Sequence, residues 1–284
     1  KDWTRETYLE ISKIGEPGIR CLEKVIADYE KLTSERLISY YRSEYVKALY
    51  CLGCFYIDQP KNIWNDYVCL KMLDKEFDQS ISAEDIKYIG KAKDYFIKCF
   101  QAETELSLED DLDFVLLANC IKEWAESPMD KMYRLGHVFL EMFFIMNLIN
   151  RKDSPKTKIF GSKCEKYLIL ARQIGDELKR KHISGKNTWF INEKLAHYYI
   201  ICGDYEPAIR LLEGSRDSYI KNTYAVACML STAPNKFSKA ESALCAAAAD
   251  NYNQARDISQ ALLAYVYKLS DNKEKLTQLI SNKK

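Results

Sequence analysis

Cys51 and Cys54 form a C-x-x-C pair, the arrangement in this chain that most resembles a chemical site. A structural zinc site needs four ligands at suitable spacing. Cys69 is the nearest further thiol, and no histidine lies close to the pair in sequence. The pair stands in the apolar stretch YCLGCFY, where cysteine packs as a small hydrophobic residue. The pattern favours a packing role, with a metal site and a redox pair as the alternatives.

The three histidines do not suggest catalysis either. His137, His182 and His197 are far apart in sequence, and none has a cysteine, serine or carboxylate spaced as a nucleophile and its base. The chain contains no Gly-rich phosphate loop, no HExxH and no GxSxG. We therefore expect no catalytic residue, no metal and no cofactor.

Composition narrows the class of protein. Lys and Arg number 42 and Asp and Glu 41, whereas a dominant nucleic-acid role usually brings a basic excess. Most of the ten cysteines lie in apolar helical patterns, and the chain has neither an Asn-x-Ser/Thr sequon nor a signal-peptide pattern. We therefore expect free thiols in a reducing cytoplasmic or nuclear setting. The most apolar run, 138–149, is too short for a membrane span, which needs roughly twenty residues.

The elements that carry these residues are predicted to be helices throughout. Apolar residues recur with helical period along nearly the whole chain, and no segment alternates as a strand does. Breaks fall at turn-forming stretches such as GEPG at 15–18, RKDSPK at 151–156 and APNK at 233–236. The sequence therefore predicts an all-α protein without a sheet.

Two short signatures repeat along the chain. GDYEPA at 203–208 matches NKFSKA at 235–240 at an offset of 32 residues. Leu195, Ala196 and Tyr199 recur as Leu263, Ala264 and Tyr267. Half-signatures occur earlier in LGCFY at 52–56 and KAKDYFIKCF at 91–100. A fixed period of this size is typical of stacked helical units.

These residues resemble the tetratricopeptide repeat, in which each unit is two antiparallel helices. In that family, small residues stand where the two helices approach most closely, here Ala196 and Ala208, and aromatic residues fill the gap to the next unit. The closing proline of the family is absent from every copy. The resemblance implies a right-handed solenoid of antiparallel hairpins: N-terminal hairpins at 1–102, a divergent helical segment at 103–186 and C-terminal repeats at 187–284.

The resemblance also implies a concave groove lined by the first helix of each unit. The positions that would line it lack the basic residues of grooves that grip a carboxylate tail, so an apolar, extended or helical partner segment is expected. The alternative is that the terminal helix or the 103–186 segment covers this strip. The predicted groove residues are Tyr50, Phe190, Glu193, His197, Met229 and Tyr265.

Charge is polarised within the chain. Residues 101–126 hold eight acidic residues and one lysine, while 151–186 hold eleven basic and four acidic residues. Such runs are solvated helix faces or contacts for an oppositely charged partner. We expect a non-catalytic adaptor or subunit of a larger intracellular complex. The alternatives are a receptor for a signalling peptide and a helical-repeat RNA binder that uses 151–186 with aromatics such as Tyr167 and Trp189. The candidate charged contacts are Lys163, Lys166, Arg172, Lys179 and Arg180.

Overall fold

The structure, a computed structural model, describes residues 15–59, 83–106, 127–148, 153–181, 188–249 and 253–281. Within these ranges the regular structure consists of eleven α-helices and no strand, which confirms the all-α prediction. The chain divides into two compact units, the first holding the described residues up to 181 and the second those from 188 onward. No helix of the described ranges is both long and apolar enough to cross a membrane.

The first unit contains five helices, and each packs against the next one in sequence. The α4–α5 contact is the most extensive of the described helix pairs. The helices are α1 (Glu16–Tyr29), α2 (Glu35–Ile57), α3 (Ala83–Thr104), α4 (Ser127–Leu148) and α5 (Pro155–Arg180).

Two glycines permit the close approach of helices in this unit. A Cβ atom on Gly136 of α4 would lie 2.6 Å from Leu168 Cγ on α5, and one on Gly53 of α2 would lie 2.6 Å from the Phe96 ring on α3. Both distances are far below the 3.5–4.0 Å of ordinary carbon contacts. Gly53 belongs to the half-signature LGCFY at 52–56, whereas Gly136 lies in the 103–186 segment, which has no repeat signature.

Helix α5 begins inside the break predicted at 151–156. The Ser154 hydroxyl accepts a hydrogen bond from the Thr157 N–H at 3.1 Å, and Pro155 occupies the first helical turn. Proline suits that position because the first amide groups of a helix have no intrahelical partner. The break predicted at 151–156 therefore ends at a helix cap.

The second unit contains six helices around a shared apolar core. Ala196 and Ala208 are both fully buried in that core. Consecutive helices pack together, and α6, α8 and α10 also contact one another in that order. The helices are α6 (Trp189–Cys202), α7 (Tyr205–Leu212), α8 (Ser218–Leu230), α9 (Lys236–Ala248), α10 (Asn253–Leu269) and α11 (Lys273–Ser281).

Helices α6 and α10 end in the same way. At the end of α6, the Gly203 N–H donates to the Ile200 carbonyl at 3.2 Å and the Asp204 N–H donates to the Tyr199 carbonyl at 2.8 Å. The φ angle of Gly203 is 88°, a left-handed value that glycine adopts without steric cost.

The end of α10 repeats this geometry at aligned positions. The Asp271 N–H donates to the Lys268 carbonyl at 3.3 Å and the Asn272 N–H to the Tyr267 carbonyl at 2.8 Å, with a φ of 53° at Asp271. Asp271 thus stands where the first copy has glycine. Helix α8 ends differently, because Ser231 is extended and its hydroxyl donates to the Cys228 carbonyl.

Candidate partner-binding surface

The predicted groove residues of the second unit differ in exposure. Phe190 and Glu193 on α6 and Tyr265 on α10 are half-buried. His197 is only 7% exposed and Met229 only 4%, and Met229 belongs to the apolar core. These two side chains are therefore not accessible to a partner in this structure. The accessible part of the predicted groove in this unit is therefore Phe190, Glu193 and Tyr265, whose role in binding stays a prediction.

A chain of polar contacts joins α6 to α8 beneath this surface. The His197 Nε2 atom lies 3.3 Å from Thr223 Oγ1, and the Thr223 hydroxyl donates to Glu193 Oε1 at 3.2 Å. With the hydroxyl proton given to Glu193, the threonine oxygen can accept a hydrogen bond from the imidazole N–H. The Thr223 hydroxyl thus bridges the two titratable groups, His197 and Glu193.

The environment of Glu193 disfavours its charge. Burial raises the pKa of this carboxyl, while Lys194 and the Thr223 hydrogen bond oppose the rise. A carboxylate that is removed from water loses hydration that a single neutral hydroxyl replaces only in part. Glu193 is therefore a half-buried acid tied to its neighbouring helix.

A second polar cluster joins α8 to α10. The Asn222 side-chain amide donates to the Ala255 carbonyl at 3.1 Å, and the Ser259 hydroxyl lies 2.7 Å from both Asn222 Oδ1 and the Ala255 carbonyl. Asn222 and Ser259 are buried, and their satisfied hydrogen bonds avoid the cost of an unpaired polar group. Together the two clusters fix how α6, α8 and α10 sit against one another.

Tyr50 lies in the first unit and is buried there, 7% exposed. Its hydroxyl accepts a hydrogen bond from Arg134 Nε at 3.2 Å, and the ammonium of Lys131 stands 5.0 Å from the ring centroid. Lys131 also pairs with Glu103 at 3.1 Å, which links α2, α3 and α4. Burial raises the pKa of the Tyr50 phenol. Tyr50 is thus part of a buried polar network of its own unit.

Four of the five candidate basic contacts share the exposed side of α5: Lys166, Arg172, Lys179 and Arg180. Lys163 is half-buried, and its ammonium lies 5.5 Å from the centroid of the Phe139 ring.

Acidic residues offset part of this positive charge. Arg172 lies 3.9 Å from Asp176, and Glu177 pairs with both Arg180 and Lys181. Tyr167, considered for stacking on RNA, is buried at 2% exposure and faces the core instead. That aromatic cannot stack on a ligand at the surface.

Cys51 and Cys54 are both buried on α2, within the apolar stretch YCLGCFY. Burial raises the pKa of the Cys51 thiol to about 11. It is also the largest cause that raises the pKa of the Cys54 thiol, to about 12. The reactive thiolate of either residue is therefore scarce at neutral pH. Across the described ranges, no group of three His, Cys, Asp or Glu side chains could hold a metal ion. Cys69 and His182 lie outside those ranges. His137 pairs with Glu141 one turn along α4, at 3.3 Å.

Comparison of the chain with models of known protein families, with curated proteins and with solved structures gives no match.

Proposed function

We propose that the chain is a non-catalytic scaffold, built in its second unit from right-handed, stacked helical hairpins of the tetratricopeptide type. In this proposal a partner protein docks an apolar, extended or helical segment on the face formed by α6, α8 and α10. The observation that carries the proposal is an alternation of contacts. Helix α6 packs on α8 and α8 packs on α10, while α7 and α9, which lie between them in the chain, each pack against both of their sequence neighbours. Stacked hairpins produce this alternation when first helices line one face.

The helix ends support the same arrangement. Tyr199 with Gly203 and Tyr267 with Asp271 are each separated by four residues, and the two pairs have matching backbone hydrogen bonds. Short connections follow both ends, which favours antiparallel neighbours. A period found independently in side-chain pattern and in backbone geometry is what a repeated hairpin would produce.

The partner-binding residues in this proposal are Phe190 and Tyr265, with Glu193 beside Phe190 on α6. Binding energy at protein interfaces concentrates in a few aromatic side chains that are accessible before binding. A partner complex in a reducing compartment, the cytoplasm or nucleus, agrees with the free cysteines of the described ranges.

Substitution separates this role from a purely structural one. We expect Phe190→Ala with Tyr265→Ala to abolish capture of the partner at temperatures well below the melting transition. Met229→Glu, which buries a carboxylate in the core, should instead lower the melting temperature sharply. Ile280, 60% exposed on α11, supplies a control substitution to alanine that should change neither property. Retained capture by the double variant would refute the proposed docking face.

A second candidate, RNA binding, is favoured by the exposed basic side of α5. Lys166, Arg172 and Lys179 stand on that side, where phosphate groups could reach them. Such binding would weaken steeply with salt, because each neutralised phosphate releases counterions. Affinity for a generic single-stranded RNA at several salt concentrations tests it, with Lys166→Gln and Lys179→Gln reducing the slope. Absence of binding at physiological salt would exclude this candidate in favour of the scaffold.

A further inference from the structure

A cavity of about 380 Å³ opens in the second unit where the end of α7 meets α8 and α9. Its size falls in the range of small-molecule sites in proteins. The cavity does not include the proposed docking residues Phe190, Glu193 and Tyr265. Its polar lining comes from Ser215 after α7, Lys221 and Tyr224 on α8, and Ser238, Lys239 and Ser242 on α9.

Two lysines give this cavity a positive character. Among the described residues, neither Lys221 nor Lys239 forms an ion pair, whereas Lys275 of the same unit is paired with Glu241. Lys221 is half-buried, so its side chain has fewer conformations to lose when it binds a ligand. The two lysines come from different helices, α8 and α9, and line the same space.

Hydroxyl groups supply further donors at the same place. Ser238 and Ser242 stand one turn apart on α9, and within the described part of the chain their hydroxyls make no hydrogen bond. Serine inside a helix often bonds back to the carbonyl four residues earlier. Here both hydroxyls stay available to a ligand. The small side chains of Ala243 and Ala246 leave the space beside them open.

Carboxylates lie near the cavity but do not neutralise its two lysines. Glu206, Glu213 and Lys239 all act electrostatically on the thiol of Cys228. Neither glutamate lines the cavity, and neither pairs with Lys221 or Lys239. The lining itself therefore carries two positive charges and no negative one.

We propose that this cavity binds a phosphate monoester. Two lysine charges match a phosphate dianion, and the hydroxyls can donate to its several acceptor oxygens. The volume leaves room for part of the group that carries the phosphate, whether a small metabolite or a phosphorylated side chain of another protein.

Calorimetric titration of the full chain tests this site with two probes. Glycerol 2-phosphate represents the free metabolite, and the peptide Gly-Gly-phosphoserine-Gly-Gly represents a phosphorylated chain. We expect saturable binding of at least one probe, and the tighter probe identifies the source. Glycerol and the unphosphorylated peptide should not bind, because the lysines recognise charge.

Variants assign the binding to the cavity. Lys221→Gln with Lys239→Gln should weaken the bound probe at least tenfold, and Ser242→Asp, which adds a negative charge at an exposed position, should abolish binding. Lys268→Gln with Lys273→Gln removes two exposed lysines elsewhere in this unit and should change affinity less than twofold. The proposal is overturned if neither phosphorylated probe binds saturably, or if Ser242→Asp and the Lys221/Lys239 variant both bind as the unaltered chain does.

Discussion

Gly136→Ala should destabilise the first unit, although alanine is the better helix former. The added methyl group would lie 2.6 Å from Leu168 Cγ, 2.7 Å from Cδ2 and 3.1 Å from the Leu168 backbone nitrogen. Leu168 is fully buried, so it has no free space to rotate into. The backbone contact means that α4 and α5 must separate to relieve the overlap.

The magnitude follows from two opposing terms. Overpacking of a tight contact costs about 1–3 kcal/mol. Replacing glycine by alanine inside a helix recovers roughly 1 kcal/mol. We therefore expect a net loss of up to about 2 kcal/mol in the free energy of unfolding.

Gly90 on α3 provides the matched control in the same unit. A Cβ atom added there meets nothing within 4 Å. Gly90→Ala should therefore keep the propensity gain and stabilise the unit by roughly 0.5–1 kcal/mol. Urea unfolding followed by far-UV circular dichroism would separate the two variants. If Gly136→Ala were as stabilising as Gly90→Ala, the close α4–α5 packing described here would be wrong.

Three further outcomes are expected. Because burial raises the pKa of Glu193, the folded chain binds the carboxyl proton more tightly than the unfolded chain does. The stability that this proton contributes is complete below the unfolded pKa and is lost as pH rises through the folded pKa. Glu193→Gln should therefore stabilise the chain at pH 7 and flatten the dependence of melting temperature on pH above about 4.5. Tyr50→Phe removes the acceptor of Arg134 and should cost about 1–3 kcal/mol in denaturant unfolding, with no cost arguing against the buried network. The Cys54 thiol should react with a maleimide only after unfolding, whereas the exposed Cys21 should react at once, and rapid labelling of both would contradict the burial described.

The helical content of the chain could be predicted because periodicity reports which side of a segment is apolar. The small residues of the signature could be predicted too, since Gly53 lies against Phe96 as a position of close approach requires. Gly136 has the same role without a signature, so sequence alone gave no reason to single it out. The break predicted at 151–156 includes Pro155, but proline also suits a first helical turn, so α5 begins inside that stretch.

The candidate surface was less predictable for a physical reason. Periodicity assigns Met229 and His197 to one side of a helix, but it does not reveal what packs over that side. The hydrogen bonds by which Thr223 and Asn222 join neighbouring helices were not predicted, because a single hydroxyl or amide in an apolar helix has no distinctive spacing. Their role becomes visible only when the partner groups on α6 and α10 are located.

Site-specific photocrosslinking in the native cell tests the central proposal most directly. A photoreactive phenylalanine analogue at Tyr265 would report what contacts the α6–α8–α10 face, and the same analogue at exposed Ile280 would serve as the control. We predict a crosslink to one protein in stoichiometric yield at Tyr265 and none to that protein at Ile280. Equal crosslinking of that protein at both positions, crosslinking to RNA alone, or no protein adduct at Tyr265 would contradict the proposal.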